Sequence, residues 1–204
     1  CAISANPMVR QMTVEDVLAL LHKHCAFLSG ITLSGGEATM QAKFIEALFA
    51  AVKADPALAS LSRFIDSNGH LGPLGWQRLL PITDGVMLDI KAFDTALHHE
   101  LTGRDNARSL ASARLAQAAG KLYELRYLMI PGKTDSEAEL ARLIAFAREL
   151  GGNLRIKLNA YQHHGVQGAA RDWPKMPRAG VEAAAAKLRE AGVGEVVLPA
   201  VWLA

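Results

Sequence analysis

The run Ile31-Thr32-Leu33-Ser34-Gly35-Gly36-Glu37 joins a short apolar segment of β type to two adjacent glycines and a carboxylate. Glycines carry no side chain, so a ligand can lie against bare backbone there and bind its N–H and C=O groups. The same pattern, an apolar strand that ends in polar residues, recurs at Asp66-Ser67-Asn68-Gly69, Asp89-Ile90-Lys91 and Asn159-Ala160-Tyr161. One Gly-Gly pair alone is usually a turn. Four such endings in chain order point to a site built on a barrel rim.

Charges inside the strands point the same way. Strands of a parallel sheet covered on both faces should be almost wholly apolar. In 86–91, alternation instead places Met87, Asp89 and Lys91 on one face and Val86, Leu88 and Ile90 on the other. Arg126 shares a face with Leu128 and Ile130, and Arg155, Lys157 and Asn159 alternate with Leu154, Ile156 and Leu158. Burying such charges without partners costs several kcal/mol each, so they must pair or meet a polar ligand. A solvated edge face accounts for any single strand. For three strands together, a mixed-charge barrel interior of Asp66, Asp89, Lys91, Arg126 and Lys157 is the better account. Such a pocket suits a zwitterionic, polar cofactor rather than a lipid.

The elements that must position these residues alternate. Thr13 can cap a helix over 13–25 whose stripe is Val14, Val17, Leu18 and Leu21. A strand ends at Ser34, a helix covers 39–54, and a strand at 62–66 leads into the Asp66 turn. A short helix at 71–80, a strand at 85–90, a helix at 106–119 and a strand at 122–130 follow. Thr134 and Glu137 stand in capping-box spacing ahead of a helix at 135–150. A strand at 153–159, a long loop, a helix at 178–191 and a strand at 195–199 close the chain. This alternation implies βαβ units with parallel strands. Periodicity alone does not separate an open sheet from a barrel.

At 204 residues the chain can bury one substantial core. Its net charge is +2 and it has no Lys/Arg run, so neither nucleic acid nor a membrane surface has electrostatic support as a partner. No apolar run reaches the ~18–20 residues of a membrane span. Two cysteines, Cys1 and Cys25, argue against a disulfide framework and for a reducing cytoplasm. The start on Cys rather than Met suggests a processed or truncated polypeptide. Cys25 reads as a structural thiol, His98-His99 as a solvated helix start, and His22, His24 and His70 as surface residues. Asp135-Ser136-Glu137 suits helix capping better than metal binding. Trp173 either packs under its loop or touches a partner.

Taken together, Thr32–Ala38, Asp66–Gly69, Val86–Lys91, His98–Gly103 and Arg126–Gly132 resemble, in order and spacing, the glycyl-radical-enzyme activating enzymes. These are radical S-adenosylmethionine (SAM) proteins, a group that includes pyruvate formate-lyase activating enzyme. The tail segments Asn159–Gly165 and Pro199–Leu203 are most similar to the YjjW-type branch. The resemblance implies an α/β fold, a partial TIM-like barrel binding a [4Fe-4S] cluster and SAM. The reduced cluster cleaves SAM to a 5′-deoxyadenosyl radical, which takes hydrogen from a backbone glycine of a partner glycyl radical enzyme. A flavodoxin- or ferredoxin-type protein is implied as reductant.

Carried onto this sequence, Ser34, Gly35, Gly36 and Glu37 meet the amino group of the SAM methionine moiety. Asp66, Ser67, Met87 (through its carbonyl) and Asp89 match a monovalent cation site beside the SAM carboxylate. Lys91 and Arg126 are the positive groups near SAM and the incoming glycyl loop. Gln162 and His164 are the candidates for an adenosine contact that the family often makes through a histidine after the last core strand.

The family's three-cysteine motif, Cys-x3-Cys-x2-Cys, is absent, and two cysteines cannot supply the three thiolates of such a cluster. The expectation is therefore a fragment without the first strand and cluster loop. Residues 1–12 would be a remnant of a ferredoxin-like insert or linker, Cys1 a leftover cluster ligand, and 13–204 the barrel. Two competitors stand beside the activase. One is an α/β-barrel lyase or aldolase using Lys91 or Lys157 as Schiff-base nucleophile, against which no phosphate-binding glycine loop appears near the chain end. The other is a non-catalytic SAM-binding fragment.

Overall fold

The computed structural model describes residues 10–151, 153–163 and 165–200. Six parallel strands form one sheet: β1 Gly30–Leu33, β2 Ser62–Ser67, β3 Gly85–Ile90, β4 Leu122–Met129, β5 Arg155–Ala160 and β6 Glu195–Val197. They stand in chain order and every neighbouring pair is parallel. Crossovers in an order that never reverses, with the right hand that βαβ units take as a rule, put the helices on one side and let the sheet curl, as in a (β/α) barrel. A doubly wound open sheet would need a reversal. The helices are α1 Val14–His24, α2 Ala42–Ala54, α3 Pro73–Leu79, α4 Thr95–Thr102, α5 Ala107–Ala118, α6 Glu137–Leu150 and α7 Arg178–Glu190.

Burial follows strand parity. Ile65, Val86, Leu88, Ile90, Leu125, Tyr127, Met129, Ile156 and Leu158 are fully buried under the helices. The alternate residues Asp66, Met87, Asp89, Arg126 and Lys157 are only half-buried and share the other face. At roughly 1.5–3 kcal/mol per fully buried large side chain, the apolar parity fixes the register of each strand. The polar set is thereby forced inward.

Local signals explain most element ends. Thr13 caps α1 in a full capping box with Asp16. At α6 the capping residue is Ser136, whose hydroxyl accepts from Glu139 N, and not Thr134. Thr134 is fully buried: its Oγ1 accepts from Ile130 N at 2.7 Å and donates to Leu128 O at 2.6 Å, closing the turn after β4. Helix α4 begins at the Asp94 cap, four residues before His98, and ends on Gly103 in the left-handed region. His98 is consequently buried, with Nδ1 at 2.9 Å from Arg104 O, rather than at a solvated helix start.

The loop after β2 is tied from behind by α5. Ser109 Oγ donates to Asn68 O, and Ser112 Oγ donates to Gly69 O at 2.6 Å while accepting the Trp76 indole N–H at 2.7 Å. Ser112→Ala would leave the buried Trp76 donor unpaired. It is expected to cost about 2 kcal/mol and lower Tm by roughly 4–8 °C in a thermal melt.

Candidate functional site

The C-terminal ends of the strands carry the residues singled out by sequence. Past β1, Gly35 takes φ = 151°, and neither it nor Gly36 has any atom within 4 Å of where a Cβ would sit. The turn offers bare backbone to open space. Ser34 Oγ donates to Asp66 Oδ2 at 3.2 Å, joining the first two strand ends. Glu37 is committed to the protein: Oε1 accepts from Thr39 N, Thr39 Oγ1 and Ser67 Oγ, and Oε2 from Asn68 N at 2.7 Å. Ser67 is buried on the helix side, where it also accepts from Gly69 N. Its hydroxyl is thus turned away from Asp66 and the charged face.

Across the interior the charges form a chain. Arg126 Nη1 reaches Asp66 at 3.0 Å, its Nε donates to Glu124 at 2.7 Å, and its Nη2 lies 2.8 Å from Met87 Sδ. Glu124 Oε2 accepts from Arg155 Nε at 3.1 Å, and Arg155 also meets Glu195 at 2.9 Å. Lys91 Nζ donates to Asp89 at 2.9 Å. Four acids (Asp66, Asp89, Glu124, Glu195) thus meet three bases (Lys91, Arg126, Arg155) on one face, which also carries Lys157. Burial pushes the Glu124 carboxyl up, but Arg126 and Arg155 together hold it below the ordinary glutamate value of 4.5. Burial likewise opposes the Arg126 charge, and Glu124, Asp66 and Asp89 outweigh it.

The Lys91 loop is gripped from both sides. Phe93 N and Asp94 N donate to the buried Glu139 at 2.7 and 2.8 Å, while Asn106 Nδ2 donates to Ala92 O and Phe93 O. Past β5, Gln162 Oε1 is buried with no hydrogen-bond partner among the described residues. His163 Nε2 lies 2.7 Å from Trp173 O, and the Trp173 ring packs on Tyr161 and under Lys133 Nζ. Trp173 therefore packs within its loop. Cys25 follows α1, packed against the core. Cys1 and His164 lie outside the described residues.

The structure brings Ser34, Asp66, Met87, Asp89, Lys91 and Arg126 to one rim, with Gln162 beyond β5. Glu124, Glu139 and Asn106 were not singled out in the sequence. Glu124 could have been found by extending the Arg126–Leu128 alternation two residues back. Glu139 and Asn106 act across 46 and 14 residues and carry no local signal.

The model of the Radical SAM superfamily matches residues 1–144, and the chain belongs to that superfamily. It is similar to pyruvate formate-lyase 1-activating enzyme of Escherichia coli (strain K12), at 34% identity over 164 residues, covering 76% of this chain and 64% of that protein. It is also similar to pyruvate formate-lyase-activating enzyme of Streptococcus mutans, at 34% over 140 residues, covering 67% and 52%. The chain thus spans less than two thirds of the length of these relatives. The fold matches a domain of pyruvate-formate lyase-activating enzyme from Bacteroides vulgatus, with TM-score 0.68, 18% identity and coverage of 84% and 99%. It also matches Streptococcus suis SuiB bound to S-adenosylmethionine, with TM-score 0.71, 17% identity and coverage of 95% and 45%.

Glu124 gives a pH signature. Its carboxyl is depressed when folded, so its contribution is present above the unfolded value and fades as pH falls through the folded one. Glu124→Ala is expected to destabilise by about 3 kcal/mol at pH 7, because two guanidinium groups lose their shared acceptor. In urea melts the gap between the two proteins should narrow at pH 3.

Proposed function

We propose that this chain is the SAM-binding barrel, over 13–204, of a glycyl-radical-enzyme activase. The supporting observation is the rim itself: a bare, open Gly35-Gly36 turn beside a charge-balanced face. A ligand bearing both ammonium and carboxylate needs acceptors at one end and a cation at the other. Ser34 and the backbone of 35–36 would accept from the amine, with Glu37 bracing the turn from behind. Lys91 and Arg126 are the carboxylate-side and substrate-side cations. The orphaned Gln162 Oε1 is an acceptor suited to the exocyclic amine of adenine, a role His164 shares in the proposal. Asp66 and Asp89, with Ser67 and Met87 contributing through backbone, would hold the monovalent cation.

When bound, the [4Fe-4S] cluster supplies the electron for reductive cleavage of SAM, drawn from a flavodoxin- or ferredoxin-type donor. Among the described residues no group of three His, Cys, Asp or Glu side chains is placed to hold a metal. Cys1 is the single cluster ligand proposed within this chain. What the chain's own residues do is grip and orient. Glu139 and Asn106 fix the backbone from which Lys91 projects, and Glu124 fixes the Arg126 guanidinium. Lys91 is engaged by Asp89 rather than free as a nucleophile, which speaks against the Schiff-base alternative. No helix of the described residues is long and apolar enough to cross a membrane.

SAM should raise the Tm of the protein in a thermal-shift assay. Asp66→Ala and Asp89→Ala are each expected to weaken SAM binding by about tenfold to a hundredfold, and Arg114→Ala, far from the rim, to leave it intact. A wild-type protein that shows no shift with SAM would sink the proposal.

A further inference from the structure

We propose that Asn68-Gly69 is a self-modification site, at which the Gly69 nitrogen attacks the Asn68 carboxamide when the loop after β2 opens. The proposal is independent of the activase reading. Asn-Gly is the dipeptide in which this attack meets least hindrance, because glycine has no side chain to block its own nitrogen. The pair occurs once in the sequence, and Asn68 is exposed. In the reaction the Gly69 nitrogen bonds to the carboxamide carbon, its proton leaves with the amide group as ammonia, and a succinimide ring forms. Water then opens the ring on either side, giving aspartate or the β-linked isoaspartate. No oxidant or reductant takes part.

The fold demands the glycine. Gly69 takes φ = 74°, and a Cβ there would lie 2.9 Å from Ser109 Cα. Backbone cannot yield to a side chain at that distance, so a larger residue does not fit. Asn68 closes the turn around it, with Oδ1 accepting from His70 N at 2.9 Å.

The same fold withholds the reaction, because all four main-chain groups of the pair are held. Asn68 N donates to Glu37 at 2.7 Å, and Asn68 O accepts from Ser109 at 2.7 Å. Gly69 O accepts from Ser112 at 2.6 Å. Gly69 N, the nucleophile, donates to Ser67 Oγ at 3.0 Å, and that hydroxyl is turned to accept because its own proton goes to Glu37. Gly69, Ser67, Ser109 and Ser112 are all buried. Ring closure needs Gly69 N to shed its proton and the peptide plane to turn, and both break these bonds. The reaction therefore proceeds from the locally opened loop and not from the closed rim. Closing again does not undo it. Isoaspartate adds a methylene to the main chain, so the four grips no longer meet their groups and the tie between the ends of β1 and β2 is lost.

The test incubates the protein at pH 8, both folded and unfolded in urea. Tryptic peptide 64–78 is followed by mass spectrometry for conversion of the Asn68 amide to an acid, against a zero-time sample. Unfolded chains should convert, with folded wild type at least about tenfold slower. Ser112→Ala releases the Gly69 carbonyl and should speed conversion of the folded protein about tenfold. Ser109→Ala, which releases the Asn68 carbonyl, should act in the same direction. Leu188→Ala opens a cavity under α7, away from this loop, and should keep the wild-type rate. Equal rates in folded and unfolded wild type overturn the proposal, as does the absence of conversion in urea. Equal acceleration by Ser112→Ala and Leu188→Ala also overturns it, by assigning the reaction to global unfolding. Chains converted in urea, refolded and separated by anion exchange should melt below unconverted ones, and equal Tm values would remove the claimed loss of the tie.

Discussion

A guanidinium inside a barrel must be met by carboxylates from more than one direction, and Arg126 shows what that demands of the fold. Its two acceptors come from different places: Glu124 from its own strand, two residues back, and Asp66 from β2, across β3. The second contact exists only because the sheet curves enough to bring β2 and β4 together over Met87. Removing one partner from such a pair leaves a buried charge uncompensated, at about 3–5 kcal/mol. The curvature, the strand register and the charge chain therefore stand or fall together.

This arrangement also explains why a site for a polar ligand can persist in a protein whose other sheet face is almost wholly apolar. Desolvation of the charged side chains on that face is offset largely by ion pairs, and only where the pairing is incomplete is there capacity left for something else. At the β1 rim that capacity is backbone, and past β5 it is the Gln162 oxygen. Around these points the scaffold is tied down by groups that touch no ligand. Glu139 takes two backbone N–H groups after Lys91, and Ser109 and Ser112 take the two carbonyls after Ser67.

Strand endings were legible in the sequence because period-two alternation is local: Met87, Asp89 and Lys91 declare their common face within six residues. The pairing partners were not. Asp66 and Arg126 lie 60 residues apart, and nothing in either segment states that they meet. The barrel itself came from resemblance, since periodicity cannot tell a curled sheet from a flat one. The capping residue of α6 was misread because Thr134 and Ser136 both have suitable side chains. A buried turn claimed the Thr134 hydroxyl first. His98 looked solvated because the Asp94 cap was not recognised as the start of a helix that buries it.

Glu37 has a mechanical meaning beyond its hydrogen bonds. By gripping Thr39 beyond its own turn, Ser67 at the end of β2 and Asn68 just after it, it welds two adjacent strand ends into one stiff plate. The glycines between Ser34 and that weld are then a taut bridge rather than a loose flap. Anything that pulls on the bridge moves Asp66 with it, so force applied at the first strand is felt at the Arg126 fork three strands away.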